Sequence, residues 1–191
     1  MSTLTVKELS HPAGEVIKIA AGKTLDLKSQ GNVTMPTGSV LQVVNAIRTT
    51  TMAWTSNAIV DQLSATITPA STSSKILVQC SIVGAGQHNW SNVMVFSMRR
   101  GGTYVGKVTA AGATNTQNGF ASMGGPNYGA SGRIMETFTL SYLDSPSTSN
   151  ATTYILGARG DNPAAATYTG RWSLNDDAAA VTTITLMEIQ G

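Results

Sequence analysis

The sequence predicts an all-β protein, an antiparallel jelly-roll-like β-sandwich preceded by a short N-terminal β-repeat arm. Composition is the first reason. Charged residues make up 12% of the 191 residues and hydrophobic residues 41%, and much of the remainder is Ser, Thr, Asn, Gln and Gly. The second reason is the pattern, because short alternating segments separated by turn residues recur along the chain and no amphipathic helix is visible. A seven-stranded immunoglobulin-like sandwich is the alternative.

The arm, residues 1–38, carries an eight-residue repeat in which two apolar residues flank one polar residue. The apolar members are Ile17 and Ile19, Leu25 and Leu27, Val33 and Met35, and the phase continues with Leu41 and Val43. Because the side chains of a strand alternate between faces, an even repeat keeps every apolar pair on one side. Two apolar side chains per unit are too few to bury alone, so we expect the units to stack on each other and against other chains. The alternative is a plain β-meander at the edge of the following domain.

The body, residues 39–191, reads as a series of short strands. The predicted strands are 40–47, 63–67, 76–83, 92–98, 104–108, 134–142, 152–158, 171–174 and 181–189. We expect Gly84 and Gly86 to end one strand, and the run Arg99-Arg100-Gly101-Gly102 to form the turn of a hairpin. The glycine-rich segment 110–132 is long for a connection, which is typical of a variable surface.

The strand over 76–83 places four apolar side chains on one face, and these are Ile76, Val78, Cys80 and Ile82. Cys80 is the single cysteine, and no cation lies nearby in the sequence to lower the pKa of its thiol. We therefore expect Cys80 to be a core residue rather than a reactive thiol.

Charge and hydropathy exclude two kinds of partner. The net charge is +2 and the basic residues form no stripe beyond the pair Arg99-Arg100, so nucleic acid is not expected as a ligand. No run of 18 apolar residues exists, and the first residues lack the cationic head and apolar middle of a secretory signal. We expect neither membrane insertion nor export.

The sequence offers little for catalysis. His11 and His88 are the two histidines, and neither belongs to a metal-binding spacing. The dipeptide Asp176-Asp177 and the segments that begin at Asp144 and Asp161 are predicted to be turns. No nucleophile elbow of the G-x-S-x-G type supports a serine triad. We predict no enzyme, no cofactor and no metal site.

Aromatic residues between strands predict a binding surface instead. His88 and Trp90 combine a flat apolar ring with hydrogen-bonding groups, which suits stacking on a sugar ring. Phe120 and Tyr128 lie in the glycine-rich segment and have the same potential. These four residues are the candidate receptor-binding or glycan-binding residues. The alternative for Trp90 is that it covers the end of the sandwich.

Four phrases of the sequence resemble structural proteins of tailed bacteriophages, especially marine ones. The phrases are residues 35–44, 67–78, 143–148 and 184–189, and the likeness spans about 35–191. The resemblance implies the distal or knob portion of a tail fibre or related virion appendage, usually a homotrimer, with no catalysis in its motifs. It further implies a protein that is located in the virion, assembles in the host cytoplasm, contacts other virion proteins and binds a host surface glycan or protein. The alternatives are a capsid decoration protein and a carbohydrate-binding module.

Overall fold

The computed structural model describes residues 21–23, 35–54, 58–86, 94–107, 121–123, 134–160, 167–169 and 180–191. Within these ranges the protein consists of strands, turns and bends, which confirms the predicted all-β class, and no helix there could cross a membrane. The strands are β1 Val40–Arg48, β2 Met52–Trp54, β3 Val60–Ile67, β4 Lys75–Gly86, β5 Met94–Arg100, β6 Thr103–Val105, β7 Ala121–Met123, β8 Ile134–Asp144, β9 Thr152–Gly160, β10 Thr167–Thr169 and β11 Thr182–Ile189.

The chain divides into two compact units, Met1–Met35 and Pro36–Gly191, and the second holds all the strands described here. Most of the first unit lies outside the described residues, and so do five of the six predicted arm residues, Ile17, Ile19, Leu25, Leu27 and Val33. Met35, the sixth, is described and is 41% exposed. An arm of residues 1–38 that assembles with other chains stays a prediction.

The strands form two antiparallel sheets. Sheet one contains β1, β2, β4, β8, β10 and β11, and sheet two contains β3, β5, β6, β7 and β9. In sheet one β4 is central, with β8 on one side and β10 and β11 end to end on the other. Beyond them β1 pairs with β11 and β2 pairs with β10. In sheet two the order is β3, β9 and β5, and then β6 and β7 end to end.

Strand order identifies the type of sandwich. Some neighbouring segments lie end to end and together fill one strand position of a sheet. There are three such pairs, β1 with β2, β6 with β7, and β10 with β11, so the eleven segments fill eight strand positions, which we number along the chain. Their spatial order is 1-8-3-6 in sheet one and 2-7-4-5 in sheet two. The chain therefore passes between the sheets at every connection except that from the fourth strand to the fifth. This is the eight-stranded jelly roll that the sequence predicts, and not the immunoglobulin-like alternative.

The exception is the predicted hairpin, formed by β5 and β6. The structure confirms the pairing but moves the turn, because Arg99 and Arg100 are the last residues of β5 and pair with Tyr104 and Thr103. Only Gly101 and Gly102 remain in the turn, where Gly101 adopts a φ of +56° that side chains disfavour. The expected strand end is wrong at Gly84, which continues β4 because β8 and β10 pair with its backbone on either side. Gly86 is the last residue of β4, as expected.

The core lies between the two inner faces. The predicted face of β4 is confirmed, since Ile76, Val78, Cys80 and Ile82 are at most 1% exposed. The rings of Phe96 in sheet two and Phe138 in sheet one join the sheets with centroids 4.9 Å apart. The rest of the buried apolar cluster is Ala65, Ile67, Met94, Met98, Val105, Leu140, Tyr154, Leu156, Ala158, Ile184 and Leu186. The burial of Cys80 confirms its assignment to the core, and it raises the pKa of the thiol to about 12.

The sandwich has two distinct ends. One end, here the terminal end, holds residues 36–39 and 190–191, which are tied by hydrogen bonds of 2.8 Å from Gly38 N to Gln190 O and from Gln190 N to Ser39 O. The connections 68–74, 101–102 and 145–151 lie at this end as well, because β3, β5 and β8 all run towards it. The opposite end, here the loop end, is where β4 and β9 finish and where β5 and β8 begin.

Candidate functional site

The four predicted binding residues, His88, Trp90, Phe120 and Tyr128, lie outside the described residues. The strands that bound them are described. Gly86, the last residue of β4, pairs with both Ile134 and Thr167. Met94, the first residue of β5, pairs with both Met123 and Gly160. The segments 87–93, 124–133 and 161–166 therefore all leave the sandwich at the loop end. His88, Trp90 and Tyr128 belong to two of these segments, and Phe120 directly precedes β7.

At the terminal end the described residues include a buried carboxylate, Glu188 of β11. The side chain is 0% exposed and faces the core side of sheet one. Gln42 Nε2 donates to its Oε2 at 2.5 Å, and the Ala70 N–H donates to its Oε1 at 2.7 Å. Gln42 also donates to the Thr68 carbonyl at 2.7 Å. Through these bonds Glu188 holds the connection between β3 and β4 against β1 and β11.

Hydrogen bonding decides the ionisation of Glu188. Burial alone raises the pKa of a carboxyl group, but hydrogen bonds from Gln42 and the Ala70 N–H outweigh that effect. The pKa of Glu188 therefore lies below its usual value, and the group is a carboxylate at neutral pH.

A second buried carboxylate, Asp144, lies at the same end. Asp144 and Glu188 both pair with Ile76 of β4, on opposite sides of it, so the two carboxylates flank one apolar residue in a cross-strand row. Tyr154 donates its hydroxyl to Asp144 Oδ2 at 2.7 Å, and Arg100 Nη1 forms an ion pair with the same oxygen at 2.8 Å. Asp144 belongs to sheet one and both partners belong to sheet two, so the network joins the sheets.

The structure corrects the interpretation of Asp144 as a turn residue. It is the last residue of β8 and is only 6% exposed. Its partners are 44 and 10 positions away in the chain, and those of Glu188 are 146 and 118 positions away, so no local pattern could reveal either network. Both carboxylates already accept hydrogen bonds from this chain, which makes them structural ties. The described residues contain no cluster of His, Cys, Asp and Glu suited to a metal ion.

Part of the outer face of sheet two, on β5 and β9, is covered by the chain itself. Val95 and Ser97 of β5 point outward and are nevertheless at most 2% exposed. Gly157 lies on β9, the strand beside β5. A Cβ atom added at Gly157 would lie 2.6 Å from Ile59 Cγ2 and 2.7 Å from Ser97 Oγ. Ile59, just before β3, is therefore packed over this face. Next to it Arg99 forms an ion pair with Asp61 and has its guanidinium 6.0 Å from the ring centroid of Tyr104.

The outer face of sheet one is different, because apolar side chains remain exposed on it. The register places Val43, Met187, Leu77 and Leu143 side by side across β1, β11, β4 and β8. Here we call these four residues the apolar row. Val43 is 57% exposed and Leu143 is 50% exposed, and nearby on β1 Val40 and Ile47 are 50% and 58% exposed. This face is the candidate interaction surface in the described part of the chain.

Comparison with known proteins adds little about function. No protein-family model matches the chain, and no curated protein matches it. Among solved structures, a chain of infectious bursal disease virus, Gx strain, aligns with 87% of this chain at 10% identity and a TM-score of 0.35. The aligned region is 42% of that viral chain, so this protein spans about two fifths of its length. A likeness with so low a TM-score supports no conclusion about function.

Proposed function

We propose that the chain is a non-enzymatic structural protein of a virion. In this proposal it is a trimeric tail-fibre or tail-appendage component that docks through its N-terminal arm on other virion proteins. The β-sandwich then faces the host surface, where it binds a glycan or a protein. Assembly of such a component takes place in the cytoplasm of the host cell.

The separation of the two ends of the jelly roll carries this proposal. The unit that contains the sandwich begins at Pro36, at the terminal end, where hydrogen bonds join Gly38 and Ser39 to Gln190. The segments that contain His88, Trp90 and Tyr128 are bounded by strand ends at the loop end. A protein that is anchored at one end and binds at the other requires this arrangement, since loops on a rigid scaffold are where binding residues concentrate.

Three of the sequence segments that resemble phage structural proteins contain residues of the two hydrogen-bond networks at the terminal end. Ala70 lies in the segment 67–78, Asp144 in 143–148 and Glu188 in 184–189. The resemblance therefore concerns the scaffold at the anchored end and not the loop end, where a receptor-binding protein needs variation. A charge-poor surface suits a virion in salt water, because salt screens ion pairs far more than it weakens buried apolar contacts.

The experiment measures native mass and cell binding together. Light scattering on the full chain should give three times the 19.8 kDa of one chain. Fluorescently labelled protein should adsorb to some members of a panel of intact marine bacteria. Trp90→Ala should reduce adsorption by at least tenfold with the mass and the circular dichroism unchanged, because truncating an aromatic residue that anchors an interface typically costs about 2 kcal/mol or more.

The control is Thr72→Ala, a change of an exposed residue at the terminal end, which should adsorb like the wild type. A monomeric wild type would show that the trimeric fibre is wrong. A trimer that does not adsorb to cells but binds empty phage heads in high copy number would identify a capsid decoration protein instead. A monomer whose sugar binding survives deletion of residues 1–38 would identify a carbohydrate-binding module.

A further inference from the structure

We infer that the outer face of sheet one is the surface on which copies of this chain meet. The inference rests on the proposed trimer and assigns to it an interface that the arm alone does not provide. The apolar row is the centre of this surface.

The first observation is the contrast between the two outer faces. Sheet two is covered within a single chain around Gly157 and Ser97, because Ile59 packs over them. Sheet one leaves Val43 and Leu143 at least half exposed at the two ends of a continuous apolar row, although both belong to a well-paired sheet. Adjacent strands lie about 4.8 Å apart, so a row across four strands is about 14 Å wide, which is wide enough for side chains of a second sheet to pack on it.

The second observation is the absence of charge. Among the described outward residues of sheet one, Lys75 is the one charged side chain, and it lies at the terminal end of β4. The rows that follow the apolar row towards the loop end are Asn45, Thr185, Gln79 and Ser141, and then Ile47, Thr183, Ser81 and Thr139. A surface without charge does not repel its own copy, and it offers nothing to a partner selected by charge. Apolar, charge-depleted surfaces are typical of interfaces between identical subunits.

The third observation is continuity with the eight-residue repeat. The fourth apolar pair of that repeat, Leu41 and Val43, lies in β1, and Val43 is a member of the apolar row. The sequence repeat that predicts association between arms therefore includes one residue of this face.

The experiment introduces charge into the apolar row of the full chain. Val43→Glu and Leu143→Glu, together, should convert the trimer into a monomer at micromolar concentration, as measured by light scattering, with the β-sheet circular dichroism retained. Both positions are exposed in the single chain, so the fold itself should tolerate the change. The matched control is Ser64→Glu, an exposed position on the outer side of β3 in sheet two, which should leave the trimer intact.

A milder variant tests the same surface if the double variant does not fold. Val43→Cys should react slowly with a maleimide in the trimer and at least tenfold faster after dilution to monomers, whereas Ser64→Cys should react at the same rate in both. Cys80 should not interfere, because it is 1% exposed.

The outcomes separate this inference from the proposed function. A trimer that survives Val43→Glu and Leu143→Glu, or a Val43→Cys thiol that reacts equally in trimer and monomer, would overturn the interface and leave the fibre intact. A wild type that is monomeric would overturn both. A monomer in which the Val43→Cys thiol is protected would mean that another part of the same chain covers the row, which also overturns the inference.

Discussion

At the scale of single residues, Glu188 offers a direct test of the contacts at the terminal end. Glu188→Gln keeps the shape of the side chain but removes the charge, and it can place an amide N–H against the donor of Ala70. We expect a loss of about 2–3 kcal/mol in the free energy of unfolding, as for hydrogen bonds to a charged group. Urea unfolding measures it. The control is Asp61→Asn, which breaks an ion pair whose aspartate is 58% exposed and should cost under about 1 kcal/mol. Equal losses in the two variants would contradict the conclusion that Glu188 stabilises the fold more than the exposed ion pair of Asp61 does.

The pH dependence of stability follows from the same residue. The pKa of Glu188 is lower in the folded protein than the ordinary glutamate value of 4.5. The folded state thus binds fewer protons than the unfolded state in this range, so the contribution of Glu188 is fully present above pH 4.5 and is lost as the pH falls through the folded pKa. Unfolding midpoints between pH 7 and pH 3 should fall more steeply for the wild type than for Glu188→Gln. Parallel curves would mean that another group controls acid stability.

Tyr154 gives a third residue-scale prediction. Its hydroxyl donates to Asp144 at a buried site, while Arg100 bonds the same oxygen from a more exposed position. Tyr154→Phe should destabilise the protein by about 1–2 kcal/mol, because one of the two donors to a buried carboxylate is lost and the ring still fills its place in the core. Thermal unfolding followed by calorimetry measures the change. A stability equal to that of the wild type would show that Arg100 and solvent satisfy Asp144 alone.

At the scale of elements, the close approach of Ile59 to β9 predicts a steric effect at Gly157. A methyl group there would overlap Ile59 Cγ2 and Ser97 Oγ, so Gly157→Ala should cost about 1–3 kcal/mol. Gly102→Ala is the matched control, because nothing lies within 4 Å of the added carbon. If the overlap with Ile59 is the cause, adding Ile59→Ala to Gly157→Ala should cost less than the sum of the two single changes. Simple additivity would show that Ile59 does not cover this face.

The elements also show how far the sequence predicts this fold. Apolar side chains at every second position identify β4, β9 and β11, because one face of each lies in the core. The strands β2, β7 and β10 have three residues each, which is too few for a visible pattern. They form because the backbones of β10, β5 and β4, respectively, pair with them. Gln62 lies in a bulge of β3 and is 4% exposed, where Arg48 donates to its carbonyl oxygen at 2.8 Å. Only the assembled sandwich reveals such a contact.

The two candidate sites differ in how far the sequence predicts them, because one consists of residues close together in the chain and the other depends on strand register. Aromatic residues between predicted strands are typical of a binding surface, so His88 and Trp90 could be proposed from the sequence, and that proposal remains a prediction. The apolar row could not be proposed, because Val43, Leu77, Leu143 and Met187 are neighbours only through the register of four strands. Val43 was identified as part of a repeat, but the face on which it lies depends on pairing with β11.

At the scale of the whole molecule, Cys80 offers a probe of cooperative unfolding and of assembly together. It lies in the central strand of sheet one, is 1% exposed, and has a pKa raised by burial to about 12. A thiol reagent should therefore reach it only when the sandwich opens, at a rate that follows the free energy of global unfolding. If trimer formation adds to that free energy, the labelling rate of the wild type should fall as protein concentration rises, since binding between folded chains disfavours opening by mass action. The charged double variant of the apolar row should label at a rate independent of concentration. Concentration-independent labelling of a wild-type trimer would mean that the body opens without dissociating, so that the arms alone hold the copies together.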